Sequence, residues 1–143
     1  MRKFALILAL AGLCALALAA PVMGANGGRT LSTDLNGAEE VPGPGDPDGS
    51  GFATLRLNPG LGEICYSITV SGIGPGAEAH IHEATSGQDG PAIIGLKLLP
   101  DGSTSGCVRA TRSLIYKISR NPSDYYVHIH DREHPHGALR GQI

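Results

Sequence analysis

The sequence predicts an all-β domain, an antiparallel sandwich or barrel with at most one short helix. Short segments alternate apolar and polar side chains, which is the period-two pattern of half-buried strands. Turn-forming Gly, Pro, Asn and Asp separate these segments. Only residues 112–120 carry apolar side chains at helical spacing, ahead of the stop signal Asn121-Pro122. The predicted strands are residues 30–35, 51–58, 63–71, 77–83, 91–99, 105–111, 125–130 and 138–143.

Residues 1–25 have the composition of a secretory signal peptide. A basic head, Met1-Arg2-Lys3, precedes an Ala/Leu run and then small residues. Cleavage is expected after Ala19 or nearer Gly24 or Ala25; an uncleaved anchor is the alternative, although the run is slightly short for a full span. Residues 29–143 then have the size of one domain. We therefore expect a single-domain protein that is secreted or periplasmic.

The charge balance and the aromatic content argue against several classes of partner. Removal of the signal peptide takes away Arg2 and Lys3 from the 11 basic residues, against 13 acidic ones, and leaves no polybasic tract. Nucleic acid is therefore not an expected partner, and neither is a membrane after cleavage. Trp is absent and aromatics make up 4% of the chain, which argues against a stacking platform for sugars or single strands. Common catalytic motifs are missing, so the sequence does not favour an enzyme.

Two cysteines remain after cleavage, Cys65 and Cys107. In an oxidising compartment such a pair favours a disulfide. Closing this loop would stabilise the fold by about 4 kcal/mol in the chain-entropy model. The alternative, a thiolate metal ligand, lacks the CxxC spacing of strong metal sites.

All 6 histidines fall in His-x-His pairs, and two of the pairs lie on predicted strands. Strand side chains alternate between faces, so each of these pairs places both imidazoles on one side. If Ile81, Val127 and Ile129 face the core, the four imidazoles project outward from one sheet. Antiparallel pairing of the two strands would let several rings reach one ion at about 2.0 to 2.1 Å. The candidate ligands are His80, His82 and His130, with His128 as a fourth.

Nitrogen-only ligation suits Cu(II), Zn(II) or Ni(II), and intrinsic affinity favours copper. Glu83 and Asp131 are candidate outer partners of the imidazoles or solvated acids. The competing interpretation is an imidazole cluster that donates hydrogen bonds to loop carbonyls.

Other polar residues are expected to be solvated. His134 and His136 flank Pro135 in a predicted turn, and the pair Glu39-Glu40 lies beside a Gly/Pro loop. Arg140 is expected at the surface or in a salt bridge, with the steering of an anion as the alternative.

Several separate motifs, in this order, resemble the CHRD domain, a family found in chordin and in many exported microbial proteins. They are Asn36-Gly37-x-Glu39-Glu40-Val41-Pro42, the strand Ala79-His80-Ile81-His82 with Gly90-Pro91 after it, Tyr125-Tyr126-Val127 with His130, and Gly137-Ala138-Leu139-Arg140-Gly141-Gln142. The resemblance covers nearly the whole of residues 29–143. It implies an immunoglobulin-like or Greek-key β-domain without an agreed activity. It matches His80, His82 and His130 to family histidines, whereas position 128 is often Asn.

A weaker likeness is to copper/zinc superoxide dismutase, an exported Greek-key barrel that holds copper partly through a His-x-His strand such as His80-Ile81-His82. The chain shows no counterpart to that family's bridging histidine or zinc-site loop. This likeness implies at most a copper-only relative.

Three functional hypotheses follow from these observations. The leading one is an exported domain that binds copper or zinc through His80, His82 and His130, with His128 as a candidate fourth ligand. The second is an interaction module without metal that presents loops to an extracellular protein or matrix partner. The third is a copper-dependent enzyme that handles superoxide.

Overall fold

The structure, a computed structural model, describes residues 28–75, 77–97 and 102–143. The predicted signal peptide, residues 1–25, lies outside the described residues. The elements in chain order are β1 (Arg29–Asn36), β2 (Ser50–Asn58), β3 (Glu63–Ser71), β4 (Glu78–Glu83), β5 (Ala92–Leu96), β6 (Ser103–Arg109), α1 (Arg112–Arg120), β7 (Tyr125–His130) and β8 (Leu139–Gln142).

The eight strands form one sheet in the order β5-β4-β7-β8-β1-β2-β3-β6. Neighbouring strands are antiparallel throughout. The sheet curls into a nearly closed barrel around one core, so the predicted all-β class with one helix is confirmed. Within the described residues, no helix is long and apolar enough to cross a membrane.

The core follows the period-two pattern, because alternate residues of each strand point inward. On β3, Ile64, Tyr66 and Ile68 are buried, while Ser67 and Thr69 between and beyond them are exposed. The helix α1 begins where the Thr111 side chain accepts a hydrogen bond from the backbone N–H of Leu114. It packs its buried residues Ile115 and Ile118 into the same core, in contact with β2 and β3.

Cys65 and Cys107 form a disulfide, as predicted. The two residues lie directly opposite each other on β3 and β6. The bond therefore attaches the edge strand β6 to β3, its neighbour in the sheet.

The two histidine strands, β4 and β7, are neighbours in antiparallel register, with His80 opposite His128. Ile81, Val127 and Ile129 are fully buried in the core, so the imidazoles lie on the outer face of the sheet. This confirms the predicted orientation and the predicted pairing of the two strands.

The outer face of β4 and β7 is largely covered by loops. His82 and His128 are only 8% and 2% exposed. Three connections lie over them, residues 37–49, 84–91 and 131–138, and each one places an acceptor atom on an imidazole. These loops turn an outer sheet face into a partly enclosed site.

Candidate metal centre

His80, His82 and His130 each place one ligating nitrogen within 4.8 Å of the other two. His80 and His82 lie on the same face of β4. His130 lies on β7 opposite Glu78, which precedes His80 by two residues on that same face. The ring centroids are 5.9 Å apart for His80–His82, 5.4 Å for His80–His130 and 6.2 Å for His82–His130. Ligands bonded at about 2.0 to 2.1 Å in a tetrahedral centre are roughly 3.4 Å apart, so the three rings would have to move closer together around an ion.

Two of the three imidazoles form hydrogen bonds with backbone carbonyl oxygens of the covering loops. The Nδ1 atom of His82 is 2.8 Å from the carbonyl oxygen of Gly90, and that of His130 is 3.1 Å from the carbonyl oxygen of Pro135. A carbonyl only accepts, so each Nδ1 carries the proton and donates it. Each Nε2 therefore keeps its lone pair, and this tautomer with this outer hydrogen bond is typical of metal-bound histidine.

Two nitrogens of the group are buried without a partner. They are Nδ1 of His80 and Nε2 of His82, which lack a hydrogen bond to any described residue. Buried polar atoms in folded proteins are nearly always satisfied. These two nitrogens therefore mark the side from which a ligand would complete the group.

The surroundings of the three imidazoles favour the neutral form of each ring. Burial is the largest cause, and it lowers the pKa of His82 to about 4 and lowers the pKa of His80 and of His130 below the usual value for histidine. The neighbouring His128 lowers all three further. Neutral imidazole is the form that binds a metal ion, so no proton has to be removed before ligation.

His80 and His130 are half-buried and border a surface cavity of about 400 Å³. Its remaining lining consists of Glu78, Asp131, Arg132 and Pro135. The cavity gives an ion or a small molecule a route to the group from one side.

His128 lies beside the group and forms a hydrogen bond with an acid that the sequence predicts to be solvated. Its Nε2 atom is 2.8 Å from Oε2 of Glu40, and the two side chains are 3% and 1% exposed. Glu40 reaches the site because the 3-10 turn Gly37–Glu39 packs against β8, the neighbour of β7. The expected solvated position of Glu40 is therefore wrong, while Glu39 is exposed as expected.

Gly137 makes room for the Glu40–His128 contact. Its φ angle is +147°, and a Cβ there would lie 2.2 Å from Oε2 of Glu40 and 2.3 Å from Nε2 of His128. Any side chain at this position would collide with both partners. Gly137 is therefore required at this position so that Glu40 and His128 can meet.

The two acids considered as outer partners of the imidazoles contact other groups. Glu83 accepts a hydrogen bond from the Tyr125 hydroxyl. Asp131 accepts from the backbone N–H of Gly74 and from both the backbone and the imidazole of His134. Burial alone would raise the pKa of Asp131, but these hydrogen bonds outweigh it and lower that pKa. The outer-partner interpretation is therefore wrong for both acids.

His134 belongs to a second group of ligand-type side chains with Asp46 and Asp131. Its Nδ1 atom is 3.2 Å from Oδ1 of Asp131 and 3.8 Å from Oδ2 of Asp46. The contact connects loop 37–49 to loop 131–138, which both cover the imidazoles. His134 is therefore a link between loops rather than a solvated residue, whereas His136 is exposed as expected.

Arg140 is 1% exposed and has no carboxylate partner among the described residues. Its guanidinium carbon lies 3.6 Å from the centroid of the Tyr126 ring, and its nitrogens donate to the carbonyls of Thr85 and Gln88. The expectation of a surface residue or salt bridge is wrong. Arg140 instead holds loop 84–91, whose Gly90 orients His82.

Comparison with known proteins places the chain in a family. A family model described as the CHRD domain matches residues 31–143. No curated protein and no solved structure matches the chain significantly.

Proposed function

We propose that this chain, a member of the CHRD domain family whose two histidine strands bring three imidazoles together, is an exported domain that binds one copper or zinc ion. The ligands are His80, His82 and His130. One observation carries the proposal: the three nitrogens lie within 4.8 Å of one another, and two imidazoles of the group each have a buried nitrogen without a partner.

The donor set favours a borderline transition metal. Three neutral imidazoles without thiolate suit Cu(II) and Zn(II), and the intrinsic order of affinities favours copper. The buried carboxyl group of Glu40, 2.8 Å from Nε2 of His128 beside the group, is an acidic side chain that favours a cation there.

Metal content after loading is the direct test. Protein purified without an affinity tag is loaded with Cu(II) or Zn(II), dialysed and measured by elemental analysis. We expect one ion per chain in the wild type and its loss in His80→Ala, since His80 is half-buried and its removal leaves the barrel core intact. The matched control is His136→Ala, which removes an exposed histidine from the third His-x-His pair and should retain the ion. A wild type without stoichiometric copper or zinc would overturn the proposal.

Export is supported by the Cys65–Cys107 disulfide and by the composition of residues 1–25. Sequencing the N-terminus of the protein recovered outside the cytoplasm tests this part. A mature chain that begins between residues 20 and 26 is expected; a chain that keeps Met1 and stays in the cytoplasm would contradict export.

A copper-dependent enzyme that handles superoxide is a second candidate, favoured by the cavity beside His80 and His130. Such an enzyme needs a coordination position that a small molecule can reach. Copper-loaded protein without dismutase activity would remove this candidate. A metal-free interaction module stays a prediction, and it requires a partner whose capture survives His80→Ala.

A further inference from the structure

We infer that His128 supplies a fourth nitrogen to the metal centre and that Glu40 is the residue that positions it. The inference rests on the proposed metal-binding function and deepens it, because it defines how the donor set is completed. It assigns a role to a buried acid and a buried imidazole that the three-histidine group leaves unexplained.

The protonation of the His128 ring follows from its contact with Glu40. An ionised carboxylate only accepts, so the 2.8 Å contact with Oε2 of Glu40 places the proton on Nε2. In the neutral ring, the form that binds a metal ion, the lone pair is then on Nδ1. That atom is buried and forms no hydrogen bond with any described residue, so its lone pair is available to a metal ion.

The His128 ring lies against the other imidazoles of the site. Its centroid lies 4.1 Å from that of His130 and 4.8 Å from that of His82, closer than any two members of the three-histidine group lie to each other. His80 is its direct partner across the strand pair. His128 is not a member of the group whose nitrogens lie within 4.8 Å of one another, so ligation requires the rings to move closer together while Nε2 of His128 keeps its contact with Glu40.

The surroundings of Glu40 also favour a cation. Its side chain is 1% exposed, and its second oxygen, Oε1, has no hydrogen-bond partner in the described part of the chain. Burying an ionised carboxylate is costly unless a positive charge compensates it. No Lys or Arg forms an ion pair with Glu40 among residues 28–75, 77–97 and 102–143. When His128 is neutral, as metal ligation requires, a divalent cation bound through it would compensate the carboxylate.

Two glycines leave room in the backbone for the Glu40–His128 contact. Besides Gly137, Gly45 lies so close that a Cβ would come within 2.5 Å of Cγ of Glu40. The loop that carries Glu40 is fixed by hydrogen bonds from Gly45 to Gly37 and from Asp46 to Ala138. Glu40 is therefore held in place rather than free to swing into solvent.

The competing role for the pair is purely structural, a pin between loop 37–49 and β7. The two roles differ in their effect on the metal. A structural pin changes the stability of the fold and leaves the nitrogen count of the centre unchanged. A positioned ligand changes that count.

The test compares Glu40→Gln with the matched control Glu39→Gln, which neutralises the adjacent but exposed acid. Each variant is loaded with Cu(II), and its affinity and its electron paramagnetic resonance spectrum are measured with the wild type and with His128→Ala. We expect Glu40→Gln to bind copper 10-fold to 100-fold more weakly, as outer-shell substitutions do. Its nitrogen hyperfine pattern should shift toward that of His128→Ala, while Glu39→Gln should match the wild type.

Two results would overturn the inference. If Glu40→Gln and His128→Ala bind copper with wild-type affinity and superimposable spectra, His128 is not a ligand, and the three-histidine proposal stands alone. If the wild type binds neither copper nor zinc, the proposed function fails first and takes the inference with it.

A second measurement does not depend on the folding of a variant. Imidazole nitrogen chemical shifts of the wild type are followed by nuclear magnetic resonance during titration with Zn(II). The inference expects Nδ1 of His128 to shift together with one nitrogen each of His80, His82 and His130, while its Nε2 keeps the proton. Shifts confined to the other three histidines would contradict it.

Discussion

The outer faces of two strand pairs, β2–β3 and β4–β7, come from the same alternating sequence pattern and end in different surroundings. On β2 and β3 the outward side chains, such as Arg56, Ser67 and Thr69, are exposed. On β4 and β7 the outward side chains include His82 and His128, which are buried under loops. Alternation determines which face a side chain occupies, but the loops determine whether that face is solvent or a site.

The comparison predicts that the β3–β6 side of the barrel provides stability and the β4–β7 side provides function. Replacing both Cys65 and Cys107 with Ser removes the bond that attaches the edge strand β6. We expect the free energy of unfolding to fall by about 4 kcal/mol, measured by urea denaturation. Copper binding should be unchanged at temperatures where the variant is folded, and a loss of binding in the folded variant would show that the two sides are not independent.

The second prediction concerns pH and the metal-free protein. The pKa of His82 is about 4 in the folded protein against 6.5 as its usual value, so the unfolded chain takes up a proton that the folded chain refuses. Stability is therefore retained above pH 6.5 and is lost as the pH falls toward 4, by about 3 kcal/mol. His80 and His130 shift in the same direction and add to the loss.

Urea denaturation between pH 7 and pH 4 in the presence of a chelator measures this slope. His82→Asn should flatten it, while the exposed His136→Asn should leave it as in the wild type. A slope that is equally steep in both variants would show that His82 does not carry the effect.

Gly137→Ala sharpens the comparison from the side of the loops. The added methyl group collides with Glu40 and His128 at a φ angle that favours glycine. A strained position of this kind costs about 1 to 3 kcal/mol. We expect that loss of stability in thermal denaturation together with weaker copper binding. Wild-type binding in this variant would argue against any role of the Glu40–His128 contact in the metal centre.

The smallest effect is expected for Ser67→Ala on the exposed outer face of β3. A surface substitution away from caps and networks usually changes stability by less than about 0.5 kcal/mol. Both the denaturation midpoint and the copper affinity should equal those of the wild type. A marked change in copper affinity would mean that the two outer faces are not distinct.

Most of the fold was predictable because the alternation is local. β3, β7 and α1 begin and end at the predicted residues, and β1, β2 and β4 differ at their ends by one residue. β6 begins two residues earlier than predicted and ends at Arg109, because turn chemistry around Ser103 does not by itself fix where pairing with β3 starts. The neighbouring positions of the two histidine strands were also predicted, since both strands carry the same unusual pattern.

The surroundings of the histidines were not predictable in the same way. The Glu40–His128 contact joins residues 88 positions apart, through a Gly/Pro loop whose path no periodicity encodes. Arg140 similarly finds its partners in loop 84–91 and on the ring of Tyr126. Two glycine signals, Gly45 and Gly137, mark the close approach of Glu40, but they acquire this meaning only once the loops are placed.

The most direct test of the account is an anomalous difference map at the copper edge from crystals of the copper-loaded protein. The account predicts one strong peak per chain on the outer face of β4 and β7, bonded to nitrogens of His80, His82 and His130. A peak anywhere else, or the absence of a peak beside these three histidines, would contradict it.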